Sequence, residues 1–145
     1  MPNTVRVSVT EHEGRYLAST GSPWEAKIGY SRAVRVGEQI FVTGTVGIEA
    51  DGSYAPTAGE QARRALTIIT ATIRALGGDL PGVTRTRMYL TNIDDWQEVG
   101  AVHGEVFGKI RPATTLVQVA ALIDKAALIE IEADAVLRPE MVNIL

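Results

Sequence analysis

Three acidic side chains near the end of the chain have the spacing best suited to chemistry. Glu130, Glu132 and Asp134 alternate with apolar residues in the run 128–137, so a β-strand would place all three on one face. Three like charges this close should raise the pKa of at least one carboxyl group if the face is partly buried. A raised pKa suits general acid/base catalysis, whereas spacing alone favours a solvated face of an edge strand.

Other familiar catalytic and metal-binding patterns find no support in the sequence. The chain has no cysteine, and its two histidines, His12 and His103, are too few for a histidine-rich metal site. No nucleophile-elbow motif accompanies His103, which we expect on a helix surface or at an interface. Glycine-rich nucleotide-binding motifs are also absent. We therefore expect no metal, and a nucleotide site is unsupported.

The elements that must position these residues follow from periodicity. Two β-rich runs, 31–36 and 39–46, flank a Gly-Glu turn and predict a β-hairpin. Apolar residues at helical spacing then predict a helix over 57–76. Thr57 and Glu60 have the spacing of a capping box at its start, and two glycines follow its end.

The second half of the chain predicts three strands and one more helix. Strands are expected at 83–90, 114–120 and 128–137, and a helix is expected from Asp94 or Asp95 to about Gly108. The predicted order is β-β-α-β-α-β-β. Residues 5–9 could add a short strand, but 11–27 show no clear period and are expected to be irregular.

Two helices and at least five strands suit a two-layer α+β domain, in which both helices cover one face of a mixed sheet. The strand expected at 114–120 carries apolar side chains on both faces. A sheet that is apolar on both sides, with helices enough for only one, predicts oligomerisation. The 145 residues suffice for one domain and are too few for two.

Composition argues against several classes of function. Fourteen Lys and Arg against seventeen Asp and Glu give a net charge of −3, the opposite of the basic excess of nucleic-acid binders. No apolar run approaches the roughly 20 residues that span a bilayer. The first residues lack the basic and apolar regions of a secretion signal. We expect a cytoplasmic protein that binds neither membranes nor nucleic acid.

Three stretches together resemble the RidA/YjgF (reactive intermediate deaminase) family. They are Ile28-Gly-Tyr-Ser leading into Gly37-Glu-Gln-Ile-Phe-Val-Thr-Gly44, then Pro112-Ala-Thr-Thr-Leu-Val-Gln-Val-Ala120, and finally Ile129-Glu-Ile-Glu-Ala133. The match runs from about 28 to 137, so that 1–27 is an N-terminal extension of a single domain over 1–145. The resemblance implies a chorismate-mutase-like fold, assembly as a homotrimer, and cofactor-free small-molecule clefts between subunits.

The resemblance also implies roles for individual residues. Glu130 matches the acid that positions water in the family's deaminases and becomes the catalytic candidate. Tyr30 matches an aromatic residue that lines the cleft, and Thr43 and Gly44 match the cleft wall nearest the ligand. Ordinary packing explains Tyr30 equally well, and a bulge or a core strand explains Thr43 and Gly44 about as well.

Thr114 departs from the family's pattern. The deaminases have Pro-Ala-Arg where this chain has Pro112-Ala113-Thr114. An arginine holds a substrate carboxylate by two charge-assisted hydrogen bonds of about 1.5–3 kcal/mol each, whereas a hydroxyl offers one of about 1 kcal/mol. Arg111 or Arg32 could supply the missing cation, although an exposed surface arginine is the commoner outcome for each.

Three functions remain open at this point. Glu130 predicts hydrolysis of an imine or enamine, with an atypical substrate because Thr114 makes efficient deamination of imino acids doubtful. Alternatively, the same clefts bind a small metabolite without turning it over, which Thr114 favours. An endoribonuclease or translation-inhibitor role, attached to some relatives of the family, is disfavoured by the acidic composition.

Overall fold

Seven strands form one mixed sheet in this computed structural model, which describes residues 4–138. The elements are β1 (Ser8–His12), β2 (Arg15–Ser19), α1 (Pro23–Ile28), β3 (Ala33–Val36), β4 (Gln39–Val46), α2 (Ala58–Ala75), β5 (Val83–Leu90), α3 (Trp96–Phe107), β6 (Ala113–Gln118) and β7 (Ile129–Val136). The sheet order is β1-β2-β3-β4-β7-β5-β6, with β5 and β6 parallel and all other neighbours antiparallel. None of the helices in the described range is long and apolar enough to cross a membrane.

The predicted α+β class and the order β-β-α-β-α-β-β are confirmed from β3 onwards. Thr57 caps α2 as the capping-box spacing indicates: its side chain accepts from the backbone N–H of Glu60, whose carboxylate accepts from the N–H of Thr57. The apolar stripe of α2 is buried against the sheet, with Leu66, Ile69 and Ile73 almost fully removed from solvent. Capping and periodicity therefore agree on both the limits and the buried face of this helix.

The expectation that residues 11–27 are irregular was wrong. Strand β2 pairs with both β1 and β3, so the N-terminal segment extends the sheet. The turn between β1 and β2 has positive φ at Glu13 and Gly14, the geometry of a tight type I′ hairpin. Ser22 and Glu25 form a capping box at the start of α1. The single-domain interpretation of 1–145 also includes residues 1–3 and 139–145, which lie outside the described residues.

The two faces of the sheet differ in what they carry. On the helix face, against which α2 packs, β7 places Ile129, Ile131, Ala133 and Ala135 in the core. On the opposite face, which we call the open face, the same strand places its three acidic side chains. Phe41 and Val117 are among the partly exposed apolar residues of the open face, so this face is not fully polar, as the sequence predicts.

Candidate active site

Glu130 lies on the open face, where β7 pairs with the end of β4. The space for its side chain exists because Gly44 has none: a Cβ at Gly44 would lie 2.6 Å from Oε2 and 2.8 Å from Cδ of Glu130. The register between β4 and β7 shifts between Val42 and Thr45, and Gly44 lies in this bulge. A local irregularity in β4 therefore accommodates the Glu130 carboxylate.

The Glu130 carboxyl group is half-buried, and this burial is the largest cause of its raised pKa. The positive charge of Arg32 opposes the rise, and the negative charge of Glu132 adds to it. The predicted rise on this acidic row is thus confirmed, although desolvation contributes more than the neighbouring like charge. Within residues 4–138 the Glu130 carboxylate has no hydrogen bond or ion pair, so its oxygens are available to a water molecule or a ligand.

The other two acids of the row are partnered by β5. Nη1 of Arg87 lies 3.5 Å from Oε1 of Glu132 and 3.5 Å from Oδ2 of Asp134. The hydroxyl of Tyr89 donates to Glu132 at 2.7 Å. Their hydrogen-bonding capacity is therefore partly used within the chain, which separates them from Glu130.

Arg32 is buried close to Glu130, with 8% of its surface exposed. Its Nη1 donates to the carbonyl oxygen of Gly44 at 2.9 Å and to Oγ1 of Thr45 at 3.2 Å, and its Nη2 donates to the Tyr30 hydroxyl at 3.4 Å. Its Nε is buried without a hydrogen-bond partner. The expectation of an exposed surface arginine was therefore wrong for Arg32, whose charge acts on the pKa of Glu130.

Tyr30 and Thr43 are tied to the same group of residues. The centre of the Tyr30 ring lies 5.7 Å from the Arg32 guanidinium, and the Tyr30 hydroxyl accepts a hydrogen bond from Nη2 of Arg32. Oγ1 of Thr43 donates to the carbonyl of Ser31 at 2.7 Å, which fixes this segment against β4. The structure thus brings together Glu130, Gly44, Arg32, Tyr30 and Thr43, which we call the Glu130 site.

Tyr54 and Asp124 lie near Glu130 and were missed by the sequence analysis. Burial raises the pKa of Tyr54 to about 12, aided by the charge and hydrogen bond of Asp124 and by the charge of Glu130. The phenol therefore keeps its proton at neutral pH and donates to Asp124. Tyr54 follows β4 in a loop that is closed by a bridge to Ile48, and a single tyrosine in a loop has no periodicity that could reveal it.

Thr114 lies on the other face of the sheet. It pairs with Thr86 across the parallel strands β5 and β6, and Thr86 pairs with the buried Ala133. The two threonine hydroxyl oxygens are 2.8 Å apart, and Nε2 of His103 lies 2.8 Å from Oγ1 of Thr86 and 3.4 Å from that of Thr114. We call these three residues the Thr114 cluster. One chain therefore holds Glu130 and Thr114 on opposite faces of its sheet.

His103 is turned further into the protein than a helix-surface position suggests. Its ring is half-buried and lies 4.6 Å from that of Phe107, one helical turn away. Burial lowers its pKa, so the imidazole is neutral at pH 7. The Thr114 cluster consequently contains hydroxyl and imidazole groups without a net charge.

Arg111 belongs to neither the Glu130 site nor the Thr114 cluster. It lies just before β6 with a positive φ of 57°, and its backbone N–H donates to the carbonyl of Phe107 at 2.8 Å. Its side chain is exposed, and its guanidinium makes no hydrogen bond or ion pair within the described chain. In the same range, no group of three or more His, Asp or Glu side chains is arranged to hold a metal ion.

Comparison with known proteins connects this geometry to a family. Residues 20–137 match the family model described as "Endoribonuclease L-PSP". The chain belongs to the RidA/YjgF family. A solved structure of a YjgF/YER057c/UK114 family member from Mycobacterium tuberculosis has 45% identity and a TM-score of 0.79, covering 85% of this chain and 99% of that one.

Two curated family members show how far the similarity extends. An uncharacterised protein of Streptomyces coelicolor is 36% identical over 117 residues, covering 80% of this chain and 87% of its own. A 2-iminobutanoate/2-iminopropanoate deaminase of Bos taurus is 36% identical over 127 residues, covering 86% and 92%. Each match covers most of both chains, and the family model, matched over residues 20–137, includes the strands that carry Thr114 and Glu130.

Proposed function

We propose that this RidA/YjgF protein hydrolyses the C=N bond of a small imine, or of the imine tautomer of a small enamine, with water held by Glu130. The observation that carries the proposal is a half-buried carboxylate of raised pKa, free of protein partners in the described residues and close to a buried arginine. A carboxyl group with a pKa moved toward neutrality suits proton transfer at the pH of the cell. The deaminase name of the bovine relative supports the same reaction class.

In the proposed reaction Glu130 transfers protons, and the bonds that form and break are at the substrate carbon. The Glu130 carboxylate accepts a proton from water as the oxygen attacks the C=N carbon, and it passes this proton to the nitrogen to give a carbinolamine. The C–N bond of the resulting carbinolamine then breaks, releasing ammonia and leaving a carbonyl product. Glu130 returns its proton in the course of the cycle, so one imine and one water give one carbonyl compound and one ammonia without a cofactor.

The proposal includes assembly as a homotrimer of chorismate-mutase-like subunits, with clefts between them. The opposite placement of Glu130 and Thr114 supports it, because only a second copy can bring a Thr114 cluster toward a Glu130 site. Partly exposed apolar residues such as Phe41 and Val117 on the open face also favour burial against another subunit. Light scattering of the purified protein at micromolar concentration would measure the expected threefold mass.

Within this cleft, the proposal gives the remaining candidates supporting roles. Arg32 opposes the rise in the pKa of Glu130 and so favours its ionised form. Arg32 also donates to the hydroxyl of Tyr30, whose ring lines the cleft. Thr43 and Gly44 form the wall, and Thr114 contacts the substrate from the neighbouring subunit. Arg111, exposed three residues before Thr114 and just ahead of β6, is the other candidate for substrate contact.

The test measures ammonia release from imines generated in situ by HCl elimination from N-chloroalanine and N-chloroalaninamide. The wild type is expected to accelerate release from at least one imine, while Glu130→Gln is not. Glu105→Gln on the exposed surface of α3 is the matched control and should behave as the wild type. Equal rates for the wild type and Glu130→Gln on both imines would contradict the proposal.

A second candidate function is binding of a small metabolite without turnover. The uncharged Thr114 cluster favours it, because Thr114 stands where the family's deaminases have the arginine that holds the substrate. Thermal-shift measurements with small keto acids and amides would then show binding while the imine assay shows no acceleration. An endoribonuclease role requires salt-dependent RNA binding, which we do not expect at a net charge of −3.

A further inference from the structure

The side of the proposed cleft that contains Thr114 is built for an uncharged ligand group. The cluster has two hydroxyls and one imidazole within 3.4 Å of one another. A hydroxyl both donates and accepts, and a neutral imidazole has one donor and one acceptor. Hydrogen bonds inside the cluster, and one of 3.5 Å from Thr114 to the carbonyl of Pro112, use part of this capacity. The exposed Thr114 oxygen can still accept a hydrogen bond from a ligand N–H, and the cluster has no formal charge.

A carboxylate and a carboxamide of the same shape would form different hydrogen bonds with the Thr114 cluster. An ionised carboxylate only accepts hydrogen bonds, and its transfer from water to a site without a cation leaves the charge uncompensated. A carboxamide presents one acceptor and two donors, so it can bond to both kinds of group in the cluster. The chemistry of Thr114 and His103 thus selects the carboxamide.

The cluster is also reachable from solvent. Thr114 is exposed and His103 is half-exposed, while Thr86 beneath them is fully buried and fixes both. Gly100, one turn before His103 on α3, has open space where a side chain would stand. A ligand can therefore reach Oγ1 of Thr114 without displacing the chain.

We propose that Thr114 and His103, oriented by Thr86, bind an uncharged polar group of the substrate, such as a carboxamide, so that the preferred substrates are neutral imines or enamines. This inference rests on the proposed cleft. It specifies the substrate class and names His103 as a specificity-determining residue. Burial that keeps the imidazole neutral supports it.

The test compares pyruvate with pyruvamide, which differ only in carboxylate and carboxamide, by titration calorimetry on the assembled wild-type protein. Pyruvamide should bind at least about tenfold more tightly. Thr114→Arg restores a cation that can hold a carboxylate with two hydrogen bonds and should reverse the preference. Thr67→Arg adds the same charge at an exposed position of α2 and should leave the preference unchanged.

Two further variants separate recognition from folding. Thr114→Val keeps the shape of the side chain but removes its hydroxyl, and His103→Phe removes the imidazole. Each variant should bind pyruvamide more weakly, while light scattering shows the same number of subunits per assembly as in the wild type. Tighter binding of pyruvate, equal binding of the pair, or no binding of either would overturn the inference. Pyruvate binding that is lost in Arg111→Gln would overturn it as well and would identify Arg111 as the cation.

The outcome does not depend on catalysis. If Glu130→Gln matches the wild type in the imine assay but pyruvamide is preferred, hydrolysis fails and the specificity of the site stands. If the imines are hydrolysed but pyruvate is preferred, the reaction stands and the neutral specificity fails.

Discussion

The Glu130 site and the Thr114 cluster lie on opposite faces of the same sheet and differ in charge: the first contains ionisable groups of opposite sign, and the second contains neutral polar groups. Strand β5 lies between them: Tyr89 pairs with Glu130 toward the open face, and Thr86 reaches Thr114 on the helix face. At the Glu130 site, burial destabilises a charge that a neighbouring arginine partly compensates. In the Thr114 cluster, neutral groups are held together by hydrogen bonds. The difference indicates separate tasks, reaction at Glu130 and recognition at Thr114.

Substituting each region in turn should separate these tasks most clearly. Glu130→Gln should lower kcat by about 100-fold or more, the usual effect of a lost general base. Thr114→Val should mainly raise KM, by up to about tenfold, because one neutral hydrogen bond contributes about 1 kcal/mol. Steady-state kinetics on a neutral imine measure both values. A fall in kcat of equal size in both variants would mean that the two regions do not divide the work.

Gly44→Ala tests whether the bulge in β4 positions Glu130. The new Cβ would meet the end of the Glu130 side chain at 2.6 Å, so the carboxylate must move while the backbone need not. We expect kcat to fall by about tenfold, as for other small misplacements of a reacting group, with little change in Tm. Gly104→Ala, where a Cβ meets nothing, is the control and should leave kcat unchanged.

Arg32→Gln tests the electrostatic coupling within the Glu130 site. The Arg32 charge lowers the pKa of Glu130, so its loss should raise that pKa and move the acidic limb of the pH–kcat/KM profile to higher pH. Arg32→Lys keeps a charge and should restore part of the shift. Arg74→Gln removes an exposed charge on α2 and should have no such effect. A limb that stays in place or moves to lower pH would refute the coupling.

The smallest effect concerns stability and its dependence on pH. Because the pKa of Glu130 is raised in the folded state, ionising it disfavours folding once the pH exceeds the ordinary value of 4.5. Glu130→Gln should therefore raise Tm modestly at pH 7, and the gain should disappear as the pH falls below 4.5. Thermal melts of both proteins from pH 4 to 8 measure this. A lower Tm for the variant at pH 7 would show that the carboxylate stabilises the fold.

Local patterns in the sequence predicted much of the fold. The capping box at Thr57 gave the start of α2, and the period of two gave β5 at Val83–Leu90. Signals for the N-terminal segment were present but too short to form a period: Ser22 and Glu25 have capping-box spacing around a six-residue helix. That helix buries no residue, so it lacks the apolar stripe on which recognition of longer helices depends.

By itself, the sequence determined the strand that carries Glu130, the shared face of the acidic row and the absence of an arginine at Thr114. Tertiary structure decided which charges matter. It buried Arg32 near Glu130, brought Tyr54 and Asp124 from separate loops, and turned Thr114 toward Thr86 and His103. Alternation along a strand is a local property that spacing reveals. Burial and hydrogen bonding between distant segments depend on how strands and helices pack, and no local pattern encodes them.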